Sequence, residues 1–420
     1  MRPAHLLPTV VFAQFAGTSL WFAVNAVLPA LQQQFPDVQN FLPTMTAAVQ
    51  LGFVTGTLLS AWLTIADWFS PVRVFVVSAA IAAALNLLLL TASSLSGLIT
   101  IRFGVGFFLA GVYPVGMKIC SDWYEKGLGK ALGYLVGALV LSTAFPHLLN
   151  ALPVHTDGRW VIVATSGLAL SGALFMFLLV RDGPYRRPTG GFNPRALRLV
   201  FRQPLYRTFA FGYFGHAWEL YTFWAFVPVL IGLYNHATGN TLNVSVWSFG
   251  IIAAGAIGCA WGGEWSQRWG SARLAFWALV ISTACCLFSP AIYWLSPPFF
   301  LLFMLVWGMM VVADSPQFSA LISQNALPEY RATAITVVNS IGFFITGTYC
   351  KGAGLTKNGR KVKLPAKTGD RVRFAAQRNH PPHDPLPHPP HPQSLLDCFR
   401  RCHELFLALA AAAVPRQALV

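Results

Sequence analysis

Residues 181–207 read RDGPYRRPTGGFNPRALRLVFRQPLYR. Seven arginines and a single acid fall there, in a chain of 420 residues that is only 10% charged. On both sides of this basic island the text turns apolar. Apolar windows recur at about 8–31, 44–66, 72–91, 97–119, 128–150 and 160–180 before it, and at 205–233, 244–263, 272–295, 298–323 and 332–349 after it. Each is near the ~20 residues that a helix needs to cross a bilayer. With 55% hydrophobic residues and a mean hydropathy of +0.56, the chain is not written for water, where roughly 25% charge is usual. The expected fold class is an all-α polytopic membrane protein. The first window runs too long for a signal peptide and carries Gln14, Thr18 and Asn25, so it reads as a retained span.

A net charge of +15 suggests nucleic acid in a soluble protein, but its distribution points elsewhere. Up to Cys350, Lys and Arg cluster at the N-terminus and in alternate loops, around Arg73, Lys118–Lys130, Arg181–Arg207, Arg268–Arg273 and Arg331. The opposite loops hold only Arg159, and Arg102 lies within a span. This asymmetry follows the positive-inside rule and places the N-terminus and the 181–207 loop in the cytoplasm. The expected localisation is the cell inner or plasma membrane, and no nucleic-acid partner is expected. The seven cysteines show neither zinc spacing nor a disulfide framework.

The two sides of the basic island can be laid over each other. Pro29 matches Pro228, Asp67–Arg73 matches Gln267–Arg273, Gly106 and Pro114 match Gly308 and Pro316, and Glu125 matches Glu329. The offsets are 199, 200, 202 and 204, in order along the chain. Such drift is what loop lengthening produces in a parallel repeat of two six-helix halves. The expected organisation is a first half at 1–180 (spans 1–6), a cytoplasmic loop at 181–207, and a second half at 208–349 (spans 7–11).

Two loops, DWFSPVR at 67–73 and GGEWSQRWGSAR at 262–273, resemble the Gly-x-x-x-Asp-Arg-x-Gly-Arg-Arg loop of the major facilitator superfamily. Arg102-x-x-x-Gly106 is similar to that family's fourth-helix arginine motif. Gly129-x-x-x-Gly133-x-x-x-Gly137 with Pro146 looks like its glycine-rich fifth helix. The resemblance covers about residues 8–349 and is to bacterial-type members. It implies a secondary transporter that works by alternating access, with spans 1, 4, 7 and 10 lining a central cavity. It also implies that Asp67, Arg73, Arg268, Gly270 and Arg273 form conformational loop motifs. Leu63, Trp68 and Ser70 depart from the motif, and a helix-terminus role for Asp67 stays open. The glycines of span 5 read best as a close helix-packing surface.

Only Arg102, Glu219 and Asp314 are charges lying deep within spans, where each costs at least ~2.5–3.5 kcal/mol. They fall in spans 4, 7 and 10. Helical spacing adds neighbours: Gln14, Thr18, Trp21 and Asn25 make one stripe in span 1, and Tyr213, His216 and Glu219 another in span 7. Gln317 faces with Asp314, and Tyr113 lies about three turns from Arg102 on the same face. The candidate substrate and proton-coupling residues are therefore Asp314, Glu219, Arg102, His216, Asn25, Trp21, Tyr113 and Gln317. A snorkelling or structural role for Arg102 and a packing role for His147 stay open. Pro316 suits a helix that bends beside a cavity.

No HExxH, GxSxG or P-loop pattern is present, so neither an enzyme nor a cofactor is expected. The expected partners are the lipid bilayer, a small solute and H+, with the chain acting as a monomer. A non-transporting scaffold or sensor, or an inactive truncated transporter, is the rival reading. Beyond Gly347 the text turns to KLPAKTGDRVRFAAQRNHPPHD where a twelfth span should lie. Residues 350–420 are therefore expected to be a disordered tail or the product of a reading-frame change that removed the last one to two helices.

Overall fold

The computed structural model describes residues 3–27, 31, 41–124, 128–152, 159–186, 199–326 and 331–352, without the side chains of 66–67, 128–130, 331–333 and 347–352. Pro29, Glu125, Glu329, most of the 181–207 loop and the tail beyond 352 lie outside the described residues. Among the described residues every regular element is helical. Among the described residues nine helices are long and apolar enough to cross a membrane, and two shorter apolar helices, Leu6–Thr18 and Ala334–Thr346, fall where spans 1 and 11 are expected. The chain is a multi-pass helical membrane protein. In lipid each helix satisfies its own backbone, which is why hydropathy alone locates these elements.

Spans 2, 3, 5 and 6 are Phe41–Trp62, Pro71–Leu88, Leu128–Ala151 and Arg159–Leu179. Span 7 is a 35-residue helix, Pro204–Thr238, ended by Gly239 in the left-handed conformation. Spans 8 and 9 are Val244–Trp269 and Ser271–Phe288, joined at Gly270, whose φ of +83° and ψ of 143° suit glycine alone. Span 11 is Arg331–Gly352.

The repeat is visible in how helices touch. A Cβ on Gly106 of span 4 would run into the carbonyl oxygen of Val49 in span 2, and one on Gly308 of span 10 would run into that of Ile251 in span 8. Gly56 stands against the carbonyl of Phe107 in the same way, and Gly258 against that of Met309. In both comparisons glycine and partner are each displaced by 202 residues. Spans 2 and 4 thus pack as spans 8 and 10 do, with glycine permitting backbone contact. The span 5 glycines are different. A Cβ on Gly133 or Gly137 would meet nothing within 4 Å. The expectation of a close-packed glycine surface in span 5 is therefore corrected at these two positions, because the neighbouring helices do not approach that face.

Among the described residues the halves meet most extensively along two seams, span 2 with span 11 and span 5 with span 8. On the second seam Asn150 Nδ2 donates to Ser245 Oγ at 2.9 Å. Gly255 packs toward Val140 in the same antiparallel register, its Cβ position 3.3 Å from Cγ1.

Candidate functional site

Spans 1, 4 and 10 are interrupted, and the candidate residues gather at the interruptions. Span 1 stops at Thr18 and resumes as Ala23–Ala26. Its hydroxyls turn back on the helix: Thr18 Oγ1 donates to Gln14 O and Ser19 Oγ to Ala16 O. Such bonds compete with the helical ladder. The expected polar stripe of span 1 is consequently split, since 3.6-residue spacing fails across the break. Thr18 meets Ser142 of span 5, Trp21 turns toward spans 2, 7 and 11, and Asn25 donates to Thr46 of span 2 at 3.4 Å.

Arg102 answers this break. Fully buried in Leu95–Leu109 of span 4, it donates from Nη1 to Leu20 O at 3.1 Å and from Nη2 to Trp21 O. Carbonyls freed inside a membrane need such a partner. Among the described residues no carboxylate lies within ion-pair distance of Arg102.

Span 4 breaks after Leu109 and restarts at Tyr113–Trp123, with Pro114 in the first turn. Span 10 repeats this: Pro297–Ala313 ends at Asp314, and Ser315–Asn325 begins with Pro316 in its first turn. Proline is tolerated there because its missing N–H has no helical acceptor anyway. Asp314 is thus the hinge residue between two helical segments.

The two carboxylates of spans 7 and 10 have other partners. Asp314 is 1% exposed, and its Oδ1 lies 2.7 Å from Nδ1 of His216, which is 2% exposed, on span 7. Glu219, one turn further along span 7 and half-buried, accepts from Ser282 Oγ of span 9 at 3.1 Å and from Trp307 Nε1 of span 10 at 3.5 Å. All three groups belong to the second half. Gln317 donates to Gly262 O of span 8 at 3.1 Å. Arg102 and the two carboxylates thus take their partners in two separate groups. Tyr113, half-buried, opens the second segment of span 4 and packs against the main apolar core.

Sequence reasoning missed the aromatic contacts. Trp21 packs on Phe53 (4.7 Å between centroids), on Phe343 (5.5 Å) and in a stack on Tyr221 (5.9 Å). Phe22 meets Trp224 edge-on at 6.1 Å. Tyr221 and Trp224, three apart in span 7, were the available signal.

At the loop motifs, the Asp67 side chain is outside the described residues, and Arg73, Arg268 and Arg273 are exposed. The fastening is made instead by Asp182, another residue that sequence reasoning missed. Its Oδ1 accepts from Ser70 Oγ at 2.8 Å and from Val72 N at 3.4 Å, at the start of span 3. Arg186 pairs with it at 3.6 Å and donates to Phe69 O.

The sequence profile of the Major Facilitator Superfamily matches residues 10–348. The chain belongs to this superfamily. The match ends one residue beyond Gly347, where the text changes character. A gentisate transporter of Corynebacterium glutamicum is 28% identical over 174 residues, 40% of this chain and 38% of that protein. The inner membrane transport protein YnfM of Escherichia coli is 27% identical over 205 residues, 45% of each chain. The chain thus aligns with less than half the length of either relative. Among solved structures, a variant of the nucleoside transporter NupG superposes with a TM-score of 0.69 at 12% identity, over 97% of this chain and 98% of that one. A bacterial homologue of the human lysosomal transporter Spinster, inward-facing and unoccupied, gives 0.56 at 15% identity, over 98% and 95%. These likenesses show the fold, and the family is one of membrane transporters.

Proposed function

We propose that this superfamily member is a proton-coupled secondary transporter that moves a small solute by alternating access across the cell inner membrane. The observation that carries the proton coupling is the buried His216–Asp314 pair, held at the hinge of span 10. A carboxyl group there can take a proton in one conformation and release it in another, as a relay requires. Glu219, a turn away, provides a second acceptor. The proton site lies in the second half, and the aromatic contacts between spans 1 and 7 link it to the first. The chain acts as a monomer, with the N-terminus and the 181–207 loop in the cytoplasm. The gentisate transporter among its relatives keeps organic acids among the candidate solutes.

Rocking of the halves requires their seams to open. Asn150 and Ser245 touch across one of them. A double substitution Asn150→Cys and Ser245→Cys, oxidised in proteoliposomes, should stop uptake of a solute found by stabilisation screening, and reduction should restore it. Uptake that continues through the cross-linked protein sinks alternating access. Accumulation that follows sodium instead of an imposed pH difference sinks the proton mechanism.

A further inference from the structure

Arg102 carries a charge that its surroundings do not answer. Its two bonds to Leu20 O and Trp21 O satisfy the break in span 1, yet Nε is buried without a hydrogen-bond partner. A guanidinium has five donors and no acceptor, and a charge removed from water without a counter-charge is strongly destabilising. The adjoining aromatic cluster has the same deficit. Trp21 Nε1 and Trp224 Nε1 are buried and without partners as well. Both side chains are 1% exposed. The polar atoms left over on these three residues are all donors.

Unpartnered donors on an unanswered cation and on two indoles of the adjoining aromatic cluster call for an acceptor-only anion. Arg binds carboxylates through parallel N–H bonds, roughly twice as strong as neutral ones. The walls supply the rest of the description. Phe53, Tyr221 and Phe343 lie with ring centroids 4.7–5.9 Å from that of Trp21, the spacing at which aromatic rings attract one another. Trp21 and Tyr221 come from opposite halves, so their stack must part when the halves separate. A flat ring can then replace Tyr221 against Trp21.

We infer that Arg102, Trp21 and Trp224 form the binding site of a small aromatic carboxylate, closed here by the Trp21–Tyr221 stack. This rests on the transporter reading and names its solute class. The carboxylate sits against Arg102 and the indole N–H groups, and the ring takes the place of Tyr221.

The test uses the full chain in lipid nanodiscs, with benzoate as probe and tryptophan fluorescence and thermal stability as readouts. Benzamide keeps the ring without the charge, cyclohexanecarboxylate keeps the charge without the ring, and benzylamine reverses the charge. Benzoate should bind at least about tenfold more tightly than any of the three, given what a charge-assisted bond adds. Trp21→Phe keeps a ring and removes the N–H, and should weaken benzoate about threefold to tenfold. Arg102→Gln should weaken it by at least about tenfold; if that variant does not fold, the selectivity of the unaltered protein decides. Equal binding of benzamide and benzoate, no binding of benzoate, or full affinity in a folded Arg102→Gln protein overturns the assignment. Accumulation of some other solute without competition by benzoate overturns it too, but leaves the transporter reading standing. Benzoate binding with no accumulation of any solute does the reverse.

Discussion

His216 Nδ1 and Asp314 Oδ1 stand 2.7 Å apart on spans 7 and 10, both within the buried interior of the second half. Removing one member of such a pair leaves an uncompensated buried group, which is destabilising by about 3–5 kcal/mol. His216→Ala alone should therefore lower thermal stability strongly. Adding Asp314→Asn should recover part of the loss. Additive effects across the four proteins of this cycle would show that the two residues do not interact.

Asp314→Asn and Glu219→Gln test the proton role directly. Each should abolish accumulation driven by an imposed pH difference and reduce uptake to the passive level, while leaving solute exchange at least partly intact. Exchange needs the halves to move but no net proton transfer. Mutants that concentrate solute as well as the parent would make both carboxylates structural.

The glycine contacts predict effects of opposite sign. Gly133→Ala meets open space in span 5 and should raise stability by ~0.5–1 kcal/mol through helix propensity. Gly106→Ala and Gly308→Ala place a methyl against the Val49 and Ile251 carbonyls and should lower the yield of folded, monodisperse protein. Similar melting temperatures for all three variants would contradict the packing described.

Asp182 should act through its bonds to Val72 N and to Ser70, the N-cap of span 3, more than through its ion pair. The Asp182–Arg186 pair is about one-third exposed, and such pairs contribute ~0–1 kcal/mol. Loss of a helix cap is destabilising by about 0.5–2 kcal/mol. Asp182→Ala should thus destabilise more than Arg186→Ala, with little dependence on salt. A strong salt dependence would reverse the assignment.

Single cysteines report orientation. Asp157→Cys should react with a membrane-impermeant thiol reagent from outside intact cells, and Gly190→Cys only after permeabilisation, in a background without other reactive thiols. The opposite pattern would invert the topology.

What the sequence determined by itself follows from local rules. A bilayer forces each span to satisfy its own backbone, so an apolar run of about 20 residues is legible without knowing its neighbours. The parallel repeat is legible for a similar reason. Gly106 and Gly308 must be small because a carbonyl lies against them, so their spacing from Pro114 and Pro316 persists in both halves. The candidate site was only partly legible. Spacing along an unbroken helix put Gln14 through Asn25 on one face, and depth within the spans singled out Arg102, Glu219 and Asp314. The breaks at Ser19–Phe22, after Leu109 and at Asp314 re-aim each segment. Only tertiary structure decided that Arg102 meets the carbonyls of Leu20 and Trp21 while Asp314 meets His216. The choice among partners depends on which freed polar group is nearest once the helices pack. Packing distances between spans 1, 4, 7 and 10 are not encoded in the spacing within any one of them.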